Sequence, residues 1–267
     1  MSLHLLERVL LASCNLCFAL LPRPRPSQAA LAACKIVSHR GEHDNRRVQE
    51  NTLAAFDAAA AAGCWGLEFD LRWTRDLQPV VIHDPDLRRV FDIDIDVAAV
   101  DFAELRRRAP LVPSLAEMVE RYGARHHLMM ELKCDDLGQV PQRVERLREI
   151  LAPLEASRDY HVLVLDTGLL ELAGFCHRRA WLPVAEFNLP RLSREALQRE
   201  LAGVCGQYLL LRRERIRRHH RQGQKVGSGF AASRFGLYRE VNRGVDWIFT
   251  NHAVKLETLR RRLLDNR

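Results

Sequence analysis

The sequence is short of the features that mark several protein classes. Its longest apolar stretch, residues 9–21, is interrupted by Ser13 and Asn15 and holds 13 residues; a helix that spans a bilayer needs about 20. No internal repeat, linker or low-complexity tract breaks the 267 residues, which excludes solenoids, collagen-like chains and disordered tethers. Aromatic residues are only 7% of the chain, and none lies in its densest basic run, residues 212–225, so base stacking finds no support there. The seven cysteines (14, 17, 34, 64, 134, 176 and 205) supply no second pair to match Cys14-x-x-Cys17. An odd, scattered set in a chain of this size argues for a reducing compartment rather than a disulfide framework. Cys14 and Cys17, with apolar neighbours, read as buried helix residues.

What remains is an ordinary globular composition, 47% hydrophobic and 28% charged, with 41 Lys+Arg against 34 Asp+Glu and a net charge of +7. The length suits one large domain. The excess charge is local: residues 212–225 hold seven Lys/Arg and one Glu, leaving 34 cations against 33 anions elsewhere. That run reads as the solvated face of a helix, with contact to an anionic membrane as a further expectation and nucleic-acid binding not expected. At the N-terminus, Glu7 and the string Pro22-Arg-Pro-Arg-Pro26 fit a secretory signal poorly, and Leu31-Ala-Ala-Cys34 imitates a lipoprotein cleavage site without an apolar stretch directly before it. The expectation is an N-terminal helix and Pro-rich lead-in over 1–34, packed on a domain over 35–267, in a cytoplasmic protein, with membrane association as a further expectation and export the lesser alternative.

From residue 35 onward, short β-like runs alternate with helical ones. The strands are expected at 35–38, 66–72, 128–133, 161–165, 182–188, 207–211, 224–228 and 246–250. The helices are expected at 52–62, 114–122, 140–151, 169–177, 193–201, 213–222, 235–243 and 254–264, with Thr52 and Ser193 as starting caps and Gly63 at an end. Eight alternations in about 230 residues predict an α/β fold, a single (β/α)8 barrel, with a doubly wound open sheet as the alternative. Residues 80–82 read as an extra strand able to pair with 66–72, followed by a short insertion.

In such a barrel the polar residues collect at the C-terminal strand ends, where active sites are built. The first strand runs into His39-Arg40-Gly41. The second carries Glu68-Phe-Asp70, two carboxylates on one face of a strand, which repel unless a cation or proton lies between them. Residues 80–82 deliver His83-Asp84, and the third strand ends in Glu131-Leu-Lys133. Three carboxylates without a thiolate suit a hard divalent ion such as Mg²⁺ or Ca²⁺. Arg40 and Lys133 suit a phosphate, and two histidines can divide acid and base work near neutral pH. The set describes metal-assisted phosphoryl chemistry.

These residues resemble the glycerophosphodiester phosphodiesterases. The likeness lies in His39-Arg-Gly41, Glu50-Asn-Thr52 with Ala55-Phe56, Gly66-x-Glu68-x-Asp70, Thr74-Arg-Asp76, Val80-x-x-His83-Asp84 and Glu131-x-Lys133, with a weaker match at Gly244-Val-Asp246 through Thr250. The resemblance implies a barrel enzyme that hydrolyses glycerophosphodiesters to glycerol 3-phosphate and an alcohol. It implies Glu68, Asp70 and Glu131 as ligands of one divalent cation, His39 and His83 as the acid/base pair, Arg40 and Lys133 as phosphate contacts, and Glu50 close by. The chain departs from the pattern at Gln49, Leu77 and Val90, in the strand Val226-Gly-Ser-Gly-Phe230, and at Asn251. These departures leave the alcohol open. The alternatives are a phospholipase-type enzyme acting on lysolipids or membrane lipids, a basic barrel that binds anionic surfaces, and a catalytically silent barrel, against which the intact His39, His83, Glu68, Asp70 and Glu131 argue.

Overall fold

In the computed structural model, which describes residues 13–133 and 138–265, alternation of side chains along short segments produces nine strands. They are β1 (Lys35–His39), β2 (Gly66–Trp73), β3 (Pro79–Val81), β4 (His127–Leu132), β5 (Tyr160–Val164), β6 (Trp181–Ala185), β7 (Gly203–Gln207), β8 (Lys225–Gly229) and β9 (Trp247–Thr250). The hydrogen-bonded order is β1-β9-β8-β7-β6-β5-β4-β2, and β1 also pairs with β2. Eight parallel strands therefore close a barrel, and β3 adds antiparallel to the C-terminal half of β2, with Leu71 opposite Val81.

Alternation sorts the strand residues into two cores. Ile36, Leu67, Phe69, Leu128, Met130, Val162, Val204, Val226 and Ile248 face the surrounding helices in the larger one. Val37, Met129, Leu163, Leu182, Cys205 and Phe249 point into the barrel and form an apolar plug across its middle. The plug separates a charged upper layer, at the C-terminal strand ends, from a polar lower layer.

The helices are α1 (residues 13–20), α2 (Gln28–Ala33), α3 (Leu53–Ala61), α4 (Arg88–Phe91), α5 (Phe102–Arg108), α6 (Leu115–Tyr122), α7 (Val140–Leu151), α8 (Leu189–Gln198), α9 (Arg213–Arg221), α10 (Arg234–Arg243) and α11 (Ala253–Asp265). Their starts have local causes. The Thr52 hydroxyl accepts from Ala55 N at the head of α3, and Ser114 and Glu117 form a reciprocal capping box on α6. Among the described residues no helix is long and apolar enough to cross a membrane. Helix α1 packs on the barrel through Phe18, whose ring meets Tyr208 edge-on at 5.2 Å under the Arg239 guanidinium. Cys14 in it is half-buried and Cys17 exposed, against the expectation that both are buried; the described cysteines are all free thiols, and Cys134 lies outside the described residues. Helix α9 buries Ile216 and His219 and leaves its arginines, except the half-buried Arg215, exposed.

Three segments differ from the sequence expectation. The sixth barrel strand, β7, is Gly203–Gln207, four residues before the expected 207–211, because the barrel interior there takes small side chains rather than the Leu209–Leu211 run. Helix α8 likewise starts at Leu189, where Pro190 sits in its first turn; Ser193 is not a cap but is buried mid-helix, 2.8 Å from Nε2 of His219. The segment expected as a helix over 169–177 is a 3-10 turn series, Thr167–Phe175, in which Gly168 and Gly174 weaken any α-helix.

The lower layer contains a histidine pair. Nε2 of His127 lies 2.6 Å from Nδ1 of His161, and both residues are buried. Burial lowers their pKa values to about 4 and about 3, whereas a free histidine titrates near ~6.5. Both are therefore neutral in the folded chain, and the unfolded chain takes up protons first as the pH falls. The stability they permit is complete above ~6.5 and is lost on acidification towards pH 4, at up to about 1.4 kcal/mol per pH unit for each histidine. Urea unfolding between pH 7 and 4.5 should show this slope, and His161→Gln should reduce it by about one histidine's share; an unchanged slope would contradict the assignment.

Candidate active site

The upper layer is assembled by strand register. His39 stands opposite Glu68, and Asp70 opposite Glu131, so residues far apart in sequence become neighbours on one rim. His39 ends β1, and Arg40 and Gly41 then take left-handed backbone conformations (φ 58° and 79°). Glycine is required at 41, since a Cβ there would lie 2.5 Å from that of Ala55 at the start of α3. This turn brings the Arg40 amide onto the Glu68 carboxylate at 3.1 Å. The β3 hairpin carries His83 to the same rim.

Glu68, Asp70 and Glu131 are buried, and an oxygen from each lies within 4.8 Å of the others. Asp70 is the best compensated. Its Oδ2 accepts from Asn51 Nδ2 at 2.9 Å and lies 3.0 Å from Arg40 Nε, and its Oδ1 is 3.3 Å from the Lys133 ammonium. Burial pushes its pKa up, but Arg40 and Lys133 outweigh this and hold it at about 2. Glu68 is driven well above the usual carboxylate range by burial and then by Asp70 and Glu131, and burial with Asp70 raises Glu131 to about 7, despite its ion pair with Lys133.

One oxygen of each carboxylate, Oε1 of Glu68, Oδ1 of Asp70 and Oε1 of Glu131, is buried without a hydrogen bond, although Lys133 lies beside two of them. Three converging, under-satisfied hard oxygen donors fit a divalent cation of the Mg²⁺ or Ca²⁺ type, which would relieve the repulsion that raises Glu68 and Glu131.

Both histidines have one nitrogen fixed. Nδ1 of His39 lies 2.6 Å from Oδ1 of Asn251, an acceptor, so Nδ1 carries the proton and Nε2, 3.8 Å from Glu68, carries the lone pair. Burial, then Arg40, lowers its pKa to about 3. Nδ1 of His83 donates to Oδ1 of Asp84 at 2.6 Å and likewise leaves Nε2 free; burial lowers its pKa too. Behind them, Glu50 accepts from Arg40 at 3.0 Å, Asn45 at 2.6 Å and Arg89 at 2.7 Å, while Nε of Arg89 reaches Asp84 at 2.5 Å. Burial raises the Glu50 pKa, but Arg89, Arg40 and Asn45 outweigh it and hold the carboxyl below its usual range.

All seven residues singled out in the sequence thus meet on one rim, and six of them line a cavity of about 380 Å³, with Asp70 buried beneath. The opposite wall is apolar: Leu163, Val184, Cys205, Phe230 and Phe249, with exposed Phe187 at the mouth. Sequence reasoning passed over Asn251, Arg89 and Asn51. Asn251 and the Arg89 segment stood out only as departures from the family pattern, and Asn51 was a motif letter without a role. The adjacency of Asp84 to His83 was the one local signal of an orienting partner.

Residues 39–255 match the glycerophosphoryl diester phosphodiesterase family. A glycerophosphodiester phosphodiesterase of Bacillus altitudinis is 30% identical over 127 residues, 43% of this chain and 51% of that protein; matches to curated relatives cover about half of those proteins or less. The crystal structure of a glycerophosphodiester phosphodiesterase from Thermotoga maritima superposes with a TM-score of 0.71 at 21% identity, over 85% of this chain and 98% of that one. An Oleispira antarctica phosphodiesterase, solved with its product sn-glycerol-3-phosphate, gives 0.70 at 21% identity over 89% and 99%. At these identities the solved structures speak for the fold, and the family match extends over most of the chain and the whole rim from His39 to Lys133. The chain belongs to the glycerophosphodiester phosphodiesterase family.

Proposed function

We propose that the protein hydrolyses glycerophosphodiesters to glycerol 3-phosphate and an alcohol. The observation that carries this reading is the convergence of three under-satisfied carboxylates, two cations and two oriented imidazoles on one cavity. Glu68, Asp70 and Glu131 would hold a divalent cation, which would supply Lewis-acid stabilisation of charge on the phosphoryl oxygens. Arg40 and Lys133 bind the phosphate and neutralise part of that charge. His39 and His83 divide the proton transfers through Nε2: one, neutral, takes the proton of the attacking hydroxyl, from the glycerol 2-position or from water, and the other, entering as the imidazolium with a proton on both nitrogens, gives its Nε2 proton to the departing alkoxide. Asn251 and Asp84 are positioning residues that keep each Nδ1 protonated and each ring aimed.

The apolar wall and Phe187 favour a second reading, in which the glycerol carries an acyl chain, as in a lysolipid. No residue of α9 lines the cavity, so the basic run takes no part in the chemistry. The test is release of glycerol 3-phosphate from glycerophosphocholine, -ethanolamine, -glycerol and -inositol, with Mg²⁺, Ca²⁺ or Mn²⁺. Release that stops on chelation is the expected result, and full turnover in excess chelator would overturn the metal assignment. Turnover of lysolipids alone, with no release from the glycerophosphodiesters, would replace the first reading by the second.

A further inference from the structure

The N-terminal end of the barrel opens into a second cavity, of about 660 Å³, larger than the catalytic one. That end of a (β/α)8 barrel is ordinarily filled by apolar branched side chains. Here the inward positions below the plug are Lys35, His127, His161, Lys225 and Trp247, since the alternation that turns Val37 and Phe249 inward also turns Lys35 and Trp247 inward. Trp65, just before β2, stacks on His127 at 4.3 Å and lies 6.2 Å from Trp247, nearly parallel to it. The catalytic reading uses none of these residues.

The charges of this cavity do not balance. Its lining contains Lys35, Arg158, Arg179 and Lys225 against Glu200 and Asp246. Both carboxylates are engaged: Asp246 accepts from Lys225 at 3.0 Å, His220 at 2.8 Å and the amide of Val226 at 2.9 Å, and Glu200 pairs with Arg178. Arg158 pairs with Glu155 and Asp159. Lys35 and Arg179 have no carboxylate partner among the described residues. Two uncompensated cations from different elements suit a doubly charged anion with several acceptor oxygens better than a single carboxylate.

The histidine pair adds a directional feature. Nδ1 of His127 lies 3.0 Å from the carbonyl oxygen of Arg158 and must donate to it, so its Nε2 accepts and Nδ1 of His161 donates. The tautomers are thereby fixed, and Nε2 of His161, a side chain 5% exposed in the cavity lining, is an acceptor with no partner among the described residues. An acceptor placed there calls for a ligand hydroxyl, and the two indoles offer apolar cover for a carbon skeleton. The volume is that of a small-molecule site.

We propose that the N-terminal mouth of the barrel is a second, non-catalytic site for a small organic phosphomonoester bearing a hydroxyl. Lys35 and Arg179 hold the phosphate, Nε2 of His161 accepts from the hydroxyl, and Trp65 and Trp247 cover the carbons. The site does not depend on the catalytic reading, and its test reads binding, with turnover only as a control.

Intrinsic tryptophan fluorescence, titrated with glycerol 3-phosphate in the presence of EDTA, reports on this end, because no tryptophan lines the catalytic cavity. A saturable change is expected. Lys35→Met combined with Arg179→Gln should weaken it by about 10-fold or more, as loss of charge-assisted contacts to phosphate predicts, with the melting temperature and glycerophosphodiester turnover unchanged. Arg179→Gln alone, at an exposed position, should weaken it several-fold and serves if the double variant misfolds. Inorganic phosphate should bind about 10-fold more weakly than glycerol 3-phosphate, having no carbons to cover. No saturable change, a change undiminished by the substitutions, or equal binding of inorganic phosphate would each overturn the proposal.

Discussion

Replacing Glu68 by glutamine is expected to abolish turnover and metal binding, yet leave the metal-free fold as stable as the wild type or more so. Burial and the neighbouring Asp70 and Glu131 already drive Glu68 towards its protonated form, so the charge that glutamine removes is one the metal-free protein carries at a cost. The remaining carboxylates should respond: with one repulsive partner gone, Glu131 should fall from about 7. In the wild type, a cation at 100 times its dissociation constant should add about 2.7 kcal/mol of stability by mass action; in Glu68→Gln that gain should vanish. Thermal unfolding with Mg²⁺ or Ca²⁺ and with EDTA measures both halves. A melting temperature that drops sharply in EDTA on substitution would show that Glu68 is a structural carboxylate rather than a ligand held in reserve. Asp70 should behave in the opposite way, because its loss strands Arg40 and Lys133 without their shared buried counter-charge.

Replacing His39 by alanine should lower kcat by about 10²–10⁴-fold, the range for loss of a general acid or base, while metal-dependent stabilisation survives. Asn251→Ala is the more informative partner. Asn251 does not touch the reacting atoms; it holds the proton on Nδ1 of His39 through a 2.6 Å hydrogen bond. Its removal should cost about 10-fold to 100-fold in kcat with KM nearly unchanged, and should displace the pH profile of kcat, a readout that a merely structural role would not move. Asn251→Asp keeps an acceptor and should recover most of the rate. If His39→Ala retained wild-type kcat, the two-histidine reading would fail, whatever the metal results.

The departures from the family pattern gain meaning in three dimensions. Asn251, where the sequence pattern differs, supplies the acceptor that sets the His39 tautomer. Arg89, one residue before the position at which the pattern loses a threonine, ties Glu50 to Asp84 and so connects the support of Arg40 to that of His83. Sequence alone could not show this, because an arginine on the short helix α4 has many surface partners open to it and only the fold selects two carboxylates from different loops.

The seven residues of the site were legible from the sequence because each lies within or just after a strand, and strands announce themselves by apolar alternation bounded by polar residues. Glu68 with Asp70, and Glu131 with Lys133, reach the same rim by two-residue periodicity, a local rule that needs no tertiary information. The closure into a barrel followed from eight alternations. Local signals misled where side chains are small: Gly203-Val-Cys-Gly206 fills a crowded barrel interior, yet its composition is weaker as a strand than the leucines that follow, so the sixth barrel strand was expected four residues late. The same held for Ser193, a cap by type but buried on His219 by packing.

Among the described residues no helix is long and apolar enough to cross a membrane, and the described cysteines are free thiols. The sequence determined the class of fold, the donor set and the chemistry those donors suit, since these rest on residue type and short-range periodicity. Only the tertiary structure decided the tautomers of His39, His83, His127 and His161, the unequal charge states of three equivalent-looking carboxylates, and the basic, aromatic layer at the other end of the barrel. Those depend on burial and on partners as far as 212 residues apart in the chain, and the energy of a buried charge is set by what surrounds it rather than by what precedes it in the chain.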